Sequence, residues 1–200
     1  MHEGRASREP DPLRELRGLT VLVIHPPDAD GYMIFRELQR VHCEAQLAWP
    51  APQVPPAGTE AAFVLIEPRQ VSSAWFWTEA PPLCAIVAVV GGEQDALRNI
   101  QACNVHAALV KPVTRQTILT NLLLARSNFK YEKRLQTKIS RLEETLRVFR
   151  KVEQAKLILM RQRTIGENEA YEYLRRQAMN KRVSVATVAS AIVDANALLK

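Results

Sequence analysis

The chain has 200 residues, 47% hydrophobic and 24% charged, with 7 Gly and 12 Pro, a globular composition that excludes fibrous and low-complexity proteins. It has no run of the roughly 18 apolar residues that a bilayer span needs and no apolar signal-peptide core in residues 1–12, so a soluble, cytoplasmic protein without a membrane partner is expected. The net charge of +6 is unevenly divided: residues 1–126 hold 11 Lys+Arg against 13 Asp+Glu, residues 127–200 hold 16 against 8, so the C-terminal third is the part suited to a polyanion.

After a polar N-terminal segment, expected to be flexible over residues 1–18, four short apolar runs follow: Thr20–Ile24, Ala61–Ile66, Ala85–Val90 and Ala107–Val110. Continuous β-branched runs of this length read as strands buried on both faces. Helical spacing lies between them, at Met33, Ile34, Leu38 and Val41, at Leu97, Ile100 and Ala102, and at Ile118, Leu122 and Ala125. Strands alternating with helices imply a doubly wound α/β domain with a parallel sheet, in which the weaker stretch Cys43–Trp49 supplies the second of five strands. Four prolines between Pro50 and Pro56 remove N–H donors, so the second crossover is a loop or a remnant of a helix.

From Val113 to Arg163 there is neither Pro nor Gly, so the last helix of the α/β domain is expected to run on without a break. Within it Leu135, Ile139, Leu142, Leu146 and Phe149 step by 4, 3, 4, 3, the seam of a coiled coil. A parallel homodimer through these five residues is the main reading. One amphipathic helix packed inside a monomer is the alternative. The helix should stop near Thr164–Gly166, followed by a second over Glu167–Asn180, with Ala170, Tyr171, Leu174 and Ala178 on one stripe. A third is capped by Ser184 and carries Val185, Val188, Ala189, Ile192 and Val193. The expected division is residues 19–126, a linker helix over 127–150, and a three-helix bundle over 151–200.

Five strands with this alternation and Lys111-Pro112 after the last one resemble the receiver domain of response regulators, a flavodoxin-like fold, over residues 19–126. In that family an acidic pair after the first strand and an aspartate after the third hold Mg²⁺ and accept a phosphoryl group, since a hard cation demands clustered oxygens. Here the first strand ends Ile24-His25-Pro26 and the third Ile66-Glu67-Pro68. Asp28 and Asp30 lie further along, where they would cap the first helix. The reading is a pseudo-receiver with no phosphoacceptor, no metal and no cofactor. Glu67 reads as a solvated side chain, with mimicry of a charged acceptor as the minor alternative.

No phosphate-binding glycine loop, Walker motif or nucleophile elbow occurs, and Cys103 and His106 are half a metal site without a second pair. The chain is therefore not expected to be an enzyme. Three consecutive aromatics, Trp75-Phe76-Trp77, would sweep about 200° of a helix. Two packing inward is one account, and a partner-docking patch through Trp75 and Trp77 is the other.

At the C-terminus, Ala155-Lys156 with Leu159-Met160, then Glu169-Ala170-Tyr171, Leu174-Arg175 and Ala178-Met179, resemble the ANTAR module of bacterial transcription antiterminators. The whole layout resembles antitermination regulators of the aliphatic-amidase (AmiR) type, apart from Thr164 where the family often has Gly and Gly166 where it has a Ser or Thr cap. The resemblance implies binding of stem-loops in nascent leader mRNA, which prevents a terminator from forming, and control by a ligand-sensing protein similar to periplasmic binding proteins. From the residues themselves, Tyr171 and Arg175 are i, i+4 neighbours and form a candidate base-stacking platform flanked by Arg176 and Met179. Lys156, Arg161, Arg163, Lys181 and Arg182 are placed to reach phosphates. A DNA-binding regulator and an interaction scaffold are the alternatives. The third helix has no Arg and is a poor reader of base edges.

Overall fold

The computed structural model describes residues 12–66, 82–91, 100 and 103–198. Trp75, Phe76, Trp77, Glu67 and the helical positions Leu97 and Ala102 lie outside the described residues. The chain divides into two units, residues 1–133 and 134–200.

The first unit is a five-stranded parallel sheet of β1 (Thr20–Ile24), β2 (Glu44–Ala48), β3 (Ala61–Ile66), β4 (Ala85–Val90) and β5 (Ala107–Val110), in the order β2-β1-β3-β4-β5. This is the flavodoxin-like order, whose change of direction places a crevice at the C-terminal ends of β1 and β3. Side chains alternate across the sheet. Val21, Val23, Phe63, Val87 and Val89 enter one core with Ile34, Leu38, Ile118 and Leu122, while Leu22, Ile24, Ala62, Val64 and Ile86 enter another. Burial on both faces is why these strands read as unbroken apolar runs. Between β2 and β3, residues 49–60 contain no helix.

Helix α1 (Ala29–Arg40) starts at Asp28, whose Oδ1 accepts the Gly31 N–H at 2.9 Å. Asp30 departs from its expected capping role: its Oδ2 is 2.9 Å from Lys111 Nζ, which ties the first turn of α1 to the end of β5. The N-terminal segment also corrects expectation, because from Pro12 onward it is built into the fold. Residues Pro12–Leu16 form a 3-10 turn with Leu16 fully buried. Cys43 Sγ donates to Leu16 O at 3.2 Å, and the Gly18 N–H donates to His42 O at 2.8 Å. The polar composition of this segment concealed one apolar anchor, Leu16, that the core uses.

Helix α2 (Arg115–Arg163) is continuous over 49 residues, as the absence of Pro and Gly permits. In the second unit its C-terminal part packs with α3 (Glu167–Lys181) and α4 (Val185–Leu198) around Ala155, Leu159, Ala170, Leu174, Ala178, Val188 and Ala189. Ser184 Oγ accepts the Thr187 N–H at 3.0 Å and so caps α4. Leu135, Ile139, Leu142, Leu146 and Phe149 are 40–63% exposed, so none of the seam is buried by the described residues.

Candidate nucleic-acid interface

The turn between α2 and α3 sets the geometry of the basic module. Thr164 adopts a left-handed backbone with φ 53°, and Gly166 begins α3 with Glu169 Oε2 accepting its N–H at 3.2 Å. A left-handed residue favours Gly, which is the physical reason a Gly at position 164 would suit this turn better than a β-branched residue. At its other end α3 closes on Arg182, also left-handed at φ 54°, whose N–H reaches back to Ala178 O and Met179 O.

The buried stripe of α3 is Ala170, Leu174 and Ala178. At about 100° per residue, Tyr171, Arg175 and Met179 run along one flank of that stripe. Tyr171 is 45% exposed and Met179 70%, so Tyr171 is not the core residue that its placement on the apolar stripe implied. Arg175 is exposed, with Nη1 3.5 Å from Glu172 Oε1. Arg161, Arg163, Arg176, Lys181 and Arg182 are all exposed as well.

Lys156 is the departure. It is buried, and its Nζ lies 2.8 Å from Glu153 Oε1 and 2.6 Å from Glu167 Oε1. Hydrogen bonds that Lys156 donates to these two carboxylates hold its ammonium above the ordinary lysine range, and Lys156 in turn holds Glu167 below the ordinary carboxylate range. The expected phosphate contact at Lys156 is therefore corrected. Its charge is spent inside the protein, joining the last turns of α2 to the first turn of α3.

At the crevice of the first unit, the place of the acidic pair is taken by His25, fully buried, with Nδ1 3.0 Å from Pro26 O and 3.2 Å from Asp28 Oδ1. Gly31 is required beside it, since a Cβ there would meet Pro26 O at 2.4 Å. Burial raises the Asp28 carboxyl, but the Gly31 N–H, His25 and Lys111 together leave it below the ordinary value. Asp28 and Asp30 are thus committed to a cap and to Lys111. An imidazole, a proline and two engaged carboxylates do not make the oxygen cluster that Mg²⁺ needs. Among the described residues, no group of three or more His, Cys, Asp or Glu is arranged to hold a metal, and no helix is long and apolar enough to cross a membrane.

Comparison with known proteins bears on both units. Residues 19–126 match the family model of the AmiR N-terminal domain, and residues 140–193 match the ANTAR domain. The chain belongs to the AmiR family. This AmiR-type ANTAR regulator is 28% identical over 184 residues to the aliphatic amidase regulator of Pseudomonas aeruginosa, covering 90% of the chain and 94% of that relative. It is 26% identical over 109 residues to the transcriptional regulatory protein PdtaR of Mycobacterium tuberculosis, covering 54% of the chain and 53% of that protein. Both relatives are named as regulators.

Within this regulator the structure separates residues that the sequence reading grouped. Tyr171, Arg175 and Met179 share one flank of α3. Arg163 belongs to the other side, where its Cζ sits 4.3 Å from the ring centroid of Tyr173 and its Nη2 is 3.1 Å from the Tyr173 hydroxyl. Tyr173 was missed by sequence reasoning. Its i, i+3 spacing to Arg176 was legible, but its partner Arg163 comes from the preceding helix across a turn whose path the sequence did not define.

Proposed function

We propose that this regulator binds stem-loops in nascent leader mRNA through its C-terminal module and prevents terminator formation, acting in the cytoplasm as a parallel homodimer. The observation that carries the reading is the flank of Tyr171, Arg175 and Met179. There an aromatic ring and a guanidinium stand exposed side by side on a helix ringed by Arg161, Arg163, Arg176, Lys181 and Arg182. Stems of A-form RNA hide their base edges, so a protein reads unpaired bases by stacking and holds the backbone with cations. Helix α4 has no Lys or Arg, which disfavours the reading in which it enters a DNA major groove.

The dimer rests on the exposed seam of Leu135, Ile139, Leu142, Leu146 and Phe149. With Ile139 and Leu146 at a and Leu142 at d, Lys138 falls at g and Glu143 at the following e, a pairing of opposite charges that forms between chains only in a parallel, in-register coiled coil. Control is assigned to a protein partner rather than to phosphorylation, a reading supported by His25 and Pro26 standing where receivers carry their acidic pair. The partner proposed is a ligand-sensing negative regulator similar to periplasmic binding proteins, with Trp75 and Trp77 as its proposed contact.

Gel shifts with an RNA stem-loop, its DNA equivalent and a loop-scrambled RNA test the reading. Preference for the intact RNA is expected, with roughly 5- to 100-fold loss on Tyr171→Leu, as one stacked base is worth about 1–3 kcal/mol. With about four phosphates neutralised per module in a dimer, log K against log salt should fall with a slope of roughly −6. Equal binding of all three probes, or a slope near zero, refutes it.

A further inference from the structure

We propose that Tyr173, with Arg163 held over its ring, is a second nucleobase-stacking site, on the flank of α3 opposite Tyr171, so that each module grips two unpaired bases astride one helix. The inference rests on the RNA reading above and names where on the module a second base is taken.

Tyr171 and Tyr173 are two residues apart, hence about 200° apart around α3, and the buried stripe of Ala170, Leu174 and Ala178 leaves both rings at its margins. Around Tyr173 lies an open cavity of about 440 Å³ lined by Arg163, Ile165, Asn168, Glu169, Tyr173 and Arg176. The ring is anchored, being half-buried and packed against the bundle core. The guanidinium is anchored too, through its 4.3 Å approach to the ring and its 3.1 Å contact with the hydroxyl. A guanidinium held on an aromatic ring before a ligand arrives offers a base the flat, polarisable outer face of Arg163 backed by the Tyr173 ring. The ordering cost of a long Arg side chain has by then already been met within the protein.

Charge argues for a base here rather than a phosphate. Arg163 and Arg176 face Glu169 and Glu172 across the same cavity, so the local charge cancels. Glu169 is further engaged by the Gly166 N–H. A cavity neutral overall, with aromatic and guanidinium surfaces and an Asn168 amide at its rim, suits the π-face and polar edge of a nucleobase. The Tyr171 flank differs, because Lys181 and Arg182 follow it without a matching pair of acids.

The test uses the full chain and an RNA hairpin enriched by it from a library with a fixed stem and a randomised loop. Tyr173→Leu should weaken binding roughly 5- to 100-fold while the salt slope stays as in wild type, and Tyr173→Phe should bind within about threefold of wild type, since it keeps the ring. Combined with Tyr171→Leu, the losses should multiply, as expected of two separate bases. In wild type, 5-iodouridine placed through the loop should crosslink to the peptide carrying Tyr173. That readout does not depend on a variant folding. Tyr173→Leu binding like wild type, or no crosslink to Tyr173 from any loop position, overturns the second site and leaves the RNA reading standing. Failure of the wild-type chain to enrich any hairpin removes the RNA reading and this site with it.

Discussion

Replacing Leu142 by Asp tests the dimer most directly, because Leu142 is the central residue of the seam and 63% exposed in the single chain. The five seam residues are on average about half exposed, and full burial of such a side chain is worth about 1.5–3 kcal/mol, so pairing two chains recovers roughly 10 kcal/mol from ten side chains. Association costs about 4–15 kcal/mol in lost freedom, and the two symmetric Lys138–Glu143 pairs add only about 0.2–1 kcal/mol each. With the association cost at the lower end of that range, about 6–8 kcal/mol remains, which corresponds to a Kd of roughly 1–20 μM. Asp at position 142 removes both central leucines and sets two carboxylates face to face, a loss of at least about 3 kcal/mol, or more than about 100-fold. Sedimentation equilibrium of the full chain from about 1 to 100 μM should show wild type crossing from monomer to dimer and Leu142→Asp remaining monomeric. Leu142→Met, which conserves volume, should behave as wild type. Lys138→Glu should weaken the dimer, and adding Glu143→Lys should restore it. Failure of that rescue refutes the parallel register, and an unaltered dimer in Leu142→Asp refutes the seam itself.

Three further outcomes follow from the packing and the electrostatics. Leu174 is fully buried at the centre of the bundle, so Leu174→Ala should destabilise the C-terminal module by about 2–5 kcal/mol, read as a lowered unfolding midpoint with RNA binding lost in parallel. Thr164 at φ 53° carries a backbone cost of roughly 1–3 kcal/mol that Gly avoids, so Thr164→Gly should raise the thermal midpoint, and a lower midpoint would contradict the strain argument. His106 is held below its ordinary value of 6.5 chiefly by burial, with Glu132 opposing, and its Nδ1 accepts the Ile86 N–H at 3.0 Å. The unfolded chain therefore binds the proton more readily. His106 contributes stability that is present above pH 6.5 and is lost as pH falls from there toward the folded-state value, by at most about 1.4 kcal/mol per pH unit. Asn at 106 keeps an acceptor for Ile86 without titrating, so denaturant melts of His106→Asn from pH 7 to 5 should lack that slope.

Much of the α/β unit was legible because burial on both faces leaves a compositional trace: Thr20–Ile24, Ala61–Ile66, Ala85–Val90 and Ala107–Val110 are strands with the bounds that the apolar runs gave. The long helix followed from the absence of Pro and Gly, and the α4 cap from Ser184. The polar connections were not legible. Lys156 carries the same charge as Arg161 and Arg163 in the sequence, yet two carboxylates enclose it, one of them 11 residues away across a turn. Asp30 looked like a cap and instead meets Lys111, 81 positions distant. Periodicity assigns a residue to a face, but only the packed partner decides whether a charge on that face is free.

Helix α2 likewise presents different faces along its length. From Leu135 to Phe149 the apolar positions of α2 keep a heptad seam that this chain leaves exposed, whereas Val152, Ala155 and Leu159 turn inward to the bundle. The step from Phe149 to Val152 is three residues, about 300°, and Ala155 and Leu159 continue that displacement. The face proposed to meet a second copy is therefore rotated away from the face that packs on α3 and α4, so the two would not compete. Glu153 falls at the next a position and Lys156 at the next d, so the seam ends where their ion pair begins, 2.8 Å between Oε1 and Nζ. A further apolar heptad would have drawn the last turns of α2 into the coiled coil and away from Leu174. In the proposed coiled coil this charged pair would end the zipper at Phe149, while the Lys156–Glu167 contact joins α2 to α3 near the turn from which Arg163 reaches Tyr173.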